Sequence, residues 1–216
     1  MPLAMQLVIY SSQSASNRDH VIILFKEGYT MSAASHDPTQ PGAAPSATLA
    51  ECFLQYEIID GELFVSRRPH LHHARILSNL LVNLHTVVRA CGGEILPEPG
   101  IVWGSDVENN IIPDIAVILP DRLHLATGPA LSGTPNIAIE IVSESTRTVD
   151  YVQKRYLYER TGAQEYWIVD RFEKCVQVWS FTGNQATSVS HGDDDVLTSP
   201  LLPDLSLPVR DIWPQI

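Results

Sequence analysis

Hydrophobic and polar positions recur with two different periods along this chain, and each change of period marks an element. In "YEIIDGELFVS", residues 56–66, strand-forming residues flank Asp60-Gly61, a pair that favours the tight turn of a hairpin. After Pro69 the period lengthens to that of a helix. Ile76, Leu77, Leu80, Leu81, Leu84, Val87 and Val88 form one stripe, which Gly92-Gly93 stops. Three short apolar runs follow, "EILPE", "IIPDIAVIL" and "NIAIEIV", and each predicts a strand. A second helix is predicted from about Thr148 to Thr161, with Val149, Val152, Tyr156 and Leu157 facing inward and Gly162 as the stop. "EYWIVD" and "CVQVWSF" read as two more strands joined by a short turn, and the tail "LLPDLSLPVRDIW" alternates weakly enough to pack back on the core. Helix, three strands, helix, strand is the order of an α/β sandwich: a mixed central sheet, one helix on each face, and an N-terminal β-hairpin. No internal repeat interrupts it.

Composition sets the boundaries of that domain. Residues 31–50, "MSAASHDPTQPGAAPSATLA", are rich in Ala, Pro, Ser and Thr and are expected to be disordered, which leaves residues 51–216 as the folded domain. The stretch "KEGYTM" before them can be back-translated into codons that contain a bacterial ribosome-binding sequence a few bases ahead of a start codon. Met31 is therefore a candidate native start, with residues 1–30 as translated leader; a short genuine extension is the alternative. At 216 residues, 44% hydrophobic and 18% charged, the chain can build one real core. No apolar run approaches the roughly 20 residues needed to span a bilayer, and "VIILF" is too short for a signal-peptide core. Cys52, Cys91 and Cys175 are odd in number and lack metal-ligand spacing, which fits reduced thiols in a cytoplasmic protein. The net charge of −11 argues against strong non-specific nucleic-acid binding but leaves room for a local basic patch.

Two carboxylates break the apolar runs. Glu140 lies inside "NIAIEIV" and Asp114 inside "IIPDIAVIL", where an unpartnered charge would cost several kcal/mol. Pro113 cannot donate a ladder hydrogen bond, so its strand is bulged, at an edge, or just starting there. Two carboxylates side by side on consecutive strands need a cation between them. Mg²⁺ satisfies that need, since it is held by one or two carboxylates with water and phosphate oxygens completing its shell. Val142 shares the face of Glu140 but is apolar. Lys154, one turn after Asp150 on the following helix, is the candidate positive group, and its bland role is an i,i+4 pair with Asp150.

A Pro-Asp, a Glu-x-x one strand later and then a lysine resemble the PD-(D/E)XK nuclease superfamily and its restriction-endonuclease-like fold. More narrowly, the chain resembles the Uma2 family, a bacterial domain family abundant in cyanobacteria. The matching stretches are "YEIIDGEL", "HARILSNL", "IIPDIAVI", "IEIVSESTRTVDYVQKRYLYERTGAQEYWIVD" and "LLPDLSLPV", and the block from Glu140 to Asp170 is the specific one. The resemblance implies a metal held by Asp114, Glu140 and the backbone carbonyl of Ile141, with Lys154 as the superfamily lysine moved onto the helix. It implies an Mg²⁺- or Mn²⁺-dependent endonuclease acting on DNA, and a homodimer suits the fold. Val142 departs from the superfamily pattern, which usually has lysine there.

Other residues have plainer readings beside the functional ones. Glu57 is a further acidic ligand or an inert hairpin carboxylate. His73 reaches the site or merely packs at a helix start. Ser143 and Ser145 could suggest a nucleophile, but no G-x-S-x-G elbow accompanies them and helix initiation accounts for them. Asp193-Asp194-Asp195 reads as a solvated loop. Two rival functions stand beside the nuclease: a catalytically silent member serving as an interaction or accessory module, and a metal-dependent hydrolase of another phosphorylated substrate.

Overall fold

The structure, a computed structural model, describes residues 7–11, 21–25, 54–67, 70–104, 109–183 and 185–214. The expectations for residues 31–50, Met31, Cys52 and Pro69 lie outside them. Strands β1 (Leu7–Ser11) and β2 (Val21–Phe25) pair with each other in a separate antiparallel ribbon.

The predicted hairpin is present as β3 (Leu54–Ile59) and β4 (Glu62–Arg67). Asp60 and Gly61 have φ of 53° and 75°, so both turn residues are left-handed, as the turn between twisted strands requires. Helix α1 (Leu71–Ala90) follows. Its inward side is His73, Ile76, Leu80, Leu84 and Val88, spaced by three or four residues. Each fully buried Leu or Ile there contributes about 1.5–3 kcal/mol relative to exposure.

Next come β5 (Glu94–Pro97), β6 (Ile101–Val102), β7 (Asn110–Ile111), β8 (Ile115–Ile118) and β9 (Ile137–Ile141). The run "IIPDIAVIL" is split, because Pro113 and Asp114 separate β7 from β8. Residues 111 and 115 thus belong to two different sheets. A π-helical stretch (Val149–Lys154) leads into α2 (Arg155–Thr161), and Gly162 at φ 90° ends it. Strands β10 (Glu165–Asp170), β11 (Cys175–Thr182), β12 (Gln185–Gly192), β13 (Val196–Ser199) and β14 (Leu202–Pro208) follow, and a short 3-10 helix (Val209–Ile212) comes after them.

The central sheet has the order β12-β11-β10-β9-β8-β5. Only β9 and β10 run parallel, and the helical crossover between them is what a parallel pair requires. Alternation along β9 sends Ile137, Ile139 and Ile141 toward α1, where they pack with Trp167, Leu202, Leu205, Leu207 and Ile212. Ala138 and Val142 face the other way, into a second cluster with Tyr166, Ile168, Leu157 and Tyr158 of α2. Each helix therefore covers one face, as expected, and the tail packs under α1.

Two expectations require correction. Val152 and Tyr156 do not face inward: they are 47% and 55% exposed, while Asp150, Lys154, Leu157 and Tyr158 are buried. The inward face of this helix carries two charges, so the apolar residues traced the neighbouring stripe. The sequence reading also lacks β6, β12 and β13; the residues of β12 are mostly exposed and polar, as a sheet edge tolerates, and no alternation marks it.

Candidate active site

Asp114 and Glu140 are brought together by the pairing of β8 with β9. The register joins Ile115 to Ile139, and the ladder stops there. Just beyond, Asp114 supplies the missing acceptor through its side chain: its Oδ2 lies 2.6 Å from the backbone nitrogen of Ile141 and 3.1 Å from Nε2 of His73. Its backbone carbonyl accepts from the Glu98 amide at 3.0 Å, which continues the pairing with β5. Asp114 is thus clamped between two strands and the first turn of α1.

Glu140 is held from the opposite side. Its Oε1 stands 3.0 Å from Nζ of Lys154 and accepts from the Tyr158 hydroxyl at 3.3 Å. The same ammonium is 2.9 Å from Oε1 of Glu57 and 3.8 Å from Oδ1 of Asp150. Glu57, on β3, also accepts from the Ile112 amide at 2.8 Å, so the hairpin is fastened to the β7–β8 junction. Asp150 is positioned by the Thr146 hydroxyl at 2.6 Å, and its carbonyl accepts from Tyr166 at 2.9 Å. Asp114, Glu140, Ile141, Glu57, His73, Asp150 and Lys154 line one small pocket of about 50 Å³.

One buried ammonium therefore serves three carboxylates, with Asp114 as a fourth nearby. Burial pushes the Glu140 carboxyl well above the usual carboxylate range; Lys154 pulls it back, and Asp114, Asp150 and Glu57 push it further up. Burial likewise raises Asp150 to about 7, against the pull of Lys154 and the Thr146 hydrogen bond. Burial alone would lower the Lys154 ammonium, but Glu140, Glu57 and Asp150 together outweigh it and hold it well above its ordinary value. The charged form of the lysine is favoured, and burial among like charges favours the protonated forms of Glu140 and Asp150.

Glu57 and His73, whose plainer readings were inert and packing roles, both touch the constellation. The pairing of Lys154 with Asp150 exists but is the longest of its three ion pairs, and Asp150 is buried, not on a helix surface. Tyr158 and Thr146 were not anticipated; "RTVDYVQKRYLYE" carries Tyr158 four residues after Lys154, which is the signal that could have placed it on the same face. Ser143, Ser145 and Thr146 hydrogen-bond among themselves at the start of the crossover, as a helix-initiating turn does. Val142 is fully buried on the same face as Glu140.

A mixed six-stranded sheet between helices, with an added hairpin and carboxylates meeting where two central strands diverge, defines a restriction-endonuclease-like α/β fold. The same fold is seen in a crystal structure of "a putative nuclease belonging to DUF820" from Anabaena variabilis ATCC 29413, with a TM-score of 0.62, 21% identity, and coverage of 73% of this chain and 88% of that one. The chain belongs to the Uma2 family, described as "Putative restriction endonuclease", whose model matches residues 51–210. No curated protein matches it.

Proposed function

We propose that this protein hydrolyses phosphodiester bonds in DNA, with Mg²⁺ or Mn²⁺ held by Asp114, Glu140 and the backbone carbonyl of Ile141. The observation that carries the reading is the convergence of Asp114, Glu140 and buried Lys154 on one pocket. Membership of the Uma2 family, with its description as "Putative restriction endonuclease", supports it.

The donor set fits such an ion. Oδ2 of Asp114 and Oε1 of Glu140 are already engaged, whereas Oδ1 and Oε2 have no hydrogen-bond partner among the described residues. Both free atoms are hard carboxylate oxygens, the type Mg²⁺ takes. No group of three His, Cys, Asp or Glu residues stands in metal-holding geometry among the described residues. An ion held here would have one or two carboxylate ligands, with waters and substrate oxygens filling the shell. The ion would supply Lewis acidity at the scissile phosphate.

The chain's own residues do the rest. His73 and the Ile141 amide fix the orientation of Asp114. Tyr158 and Lys154 fix Glu140 from the other side. Lys154, held charged by its carboxylates, orients the attacking water and offsets the negative charge that grows on the phosphate. Asp150 and Glu57 keep the ammonium on station. A nicking assay on supercoiled plasmid with Mg²⁺ tests the reading: relaxed circles should accumulate with the wild type and not with Asp114→Asn.

One observation favours the silent-module reading. Lys154 already neutralises part of the carboxylate cluster from within, which is how a purely structural ion cluster would be built. Calorimetric titration with Mg²⁺ separates the two, because a structural cluster takes up no metal.

A further inference from the structure

Among the described residues, the Lys and Arg side chains that make no ion pair with a carboxylate are Arg75, Arg89, Arg171, Lys174 and Arg210. All but Arg89 stand around one residue, Trp213. Arg171, Lys174 and Arg210 line a cavity of about 440 Å³ together with His72 and Asp193. Arg75 lines a neighbouring one, and Trp213 and Pro214 form a wall of both. In a chain of net charge −11, most of the positive charge that makes no ion pair among the described residues is therefore concentrated in one place.

A second observation is independent of charge. Trp213 is only 8% exposed, and its indole Nε1 has no hydrogen-bond partner among the described residues. An indole nitrogen is a donor only, and buried donors are rarely left without an acceptor. Cations without carboxylate partners, on a wall shared with a tryptophan whose buried indole nitrogen has no acceptor among the described residues, suit an anionic oxygen ligand. Asp193 is the one carboxylate on the wall of the first cavity and Asp211 the one on the wall of the second; neither makes an ion pair with these cations among the described residues.

The cavity also lies beside the carboxylate pocket. His73 lines that pocket and bonds Asp114, while the adjacent His72 lines the cationic cavity. The parallel register sets Glu140 beside Ile168 and Ile141 beside Val169, so Arg171 leaves β10 at the same end of the sheet where the carboxylates meet. Phosphates of one DNA strand repeat every ~3.4 Å of helix axis. A strand with one phosphate at the carboxylates thus carries others past the first turn of α1.

We infer that the cavity formed by His72, Arg171, Lys174, Arg210 and Trp213 is a phosphate subsite, which grips the DNA backbone away from the scissile bond and anchors an otherwise acidic protein on its substrate. The inference rests on the nuclease reading above. Backbone contacts of this kind position a duplex without reading its sequence.

The test is fluorescence anisotropy with a short labelled DNA duplex in EDTA, so that no strand is cut, across a range of salt concentrations. The combined variant Arg171→Gln, Lys174→Gln, Arg210→Gln should bind roughly tenfold or more weakly at low salt. Its slope of log affinity against log salt should be shallower by about one for each contact removed. Arg89→Gln, at the far end of α1, and the charge-keeping pair Lys174→Arg, Arg210→Lys should match the wild type. Circular dichroism must show the combined variant folded; these side chains make no ion pairs whose loss would unfold it. Equal affinity and slope in wild type and combined variant overturn the inference, as does a wild type that binds no duplex. Plasmid nicking separates the two readings. A combined variant that nicks limiting DNA as fast as the wild type sinks the subsite and leaves the nuclease. Weakened binding in a protein that never nicks at any Mg²⁺ concentration sinks the nuclease and leaves the DNA contact.

Discussion

Nζ of Lys154 stands 3.0 Å from Oε1 of Glu140, on a helix that begins only after the strand carrying Glu140 has ended. The strand-to-helix crossover returns over the sheet, and a π-helical stretch carries the lysine onto its inner face. Several consequences can be measured.

Metal-free, Asp114 and Glu140 face one pocket as repelling carboxylates. Asp114→Asn and Glu140→Gln should each abolish the heat of Mg²⁺ or Mn²⁺ binding in calorimetry, yet melt at or above the wild-type temperature, because one repelling buried charge is gone. Asparagine can still accept from the Ile141 amide through its side-chain oxygen. Variants that unfold, together with a wild type that takes up no metal, would make the pair structural.

Removing Lys154 leaves Glu57, Glu140 and Asp150 without their shared cation. Lys154→Ala should cost about 3–5 kcal/mol of stability, the usual consequence of breaking a buried pair from one side. Mg²⁺ should raise its melting temperature more than that of the wild type, since the ion replaces part of the lost charge. Hydrolysis should fall by roughly 10²-fold or more. Full activity and an unchanged melting temperature would reduce Lys154 to a bystander.

Stability should also depend on pH in a definite direction. The Asp150 carboxyl is raised from an ordinary value of 3.8 to about 7, and Glu140 is raised too. The folded state then binds more protons than the unfolded one. This contribution is complete below the unfolded value and is lost as pH rises through about 7. The metal-free protein should therefore melt at a lower temperature at pH 8 than at pH 5, with a slope of at most ~1.4 kcal/mol per pH unit for each group. Asp150→Asn should flatten that slope; an unchanged slope would place the proton elsewhere.

The ribbon of β1 and β2 hydrogen-bonds only within itself among the described strands. A chain beginning at Met31 should melt at the same temperature as the full one. A drop of several degrees in differential scanning calorimetry would show that residues 1–30 belong to the fold.

Local physics made much of this architecture readable from the chain. Asp60-Gly61 tolerates the left-handed backbone its turn needs, and the α1 stripe and Gly162 follow from helical spacing and termination. Asp114 and Glu140 stood out because a charge inside an apolar strand demands a partner. What the partner would be was decided by the tertiary structure. Glu57 lies nearly a hundred residues before Lys154, on a hairpin whose docking no local pattern specifies, yet it is the nearest of the lysine's three carboxylates. Asp150 and Lys154 looked like a surface pair, because hydrophobic periodicity counts a charge as outward. Their burial was invisible until β3, β9 and the crossover helix closed around them. The same holds for the cations around Trp213, which come from α1, the β10–β11 turn and the tail. Sequence spacing reports which side of one element is apolar; only the packing of several elements determines which charges share a pocket and are thereby taken out of water.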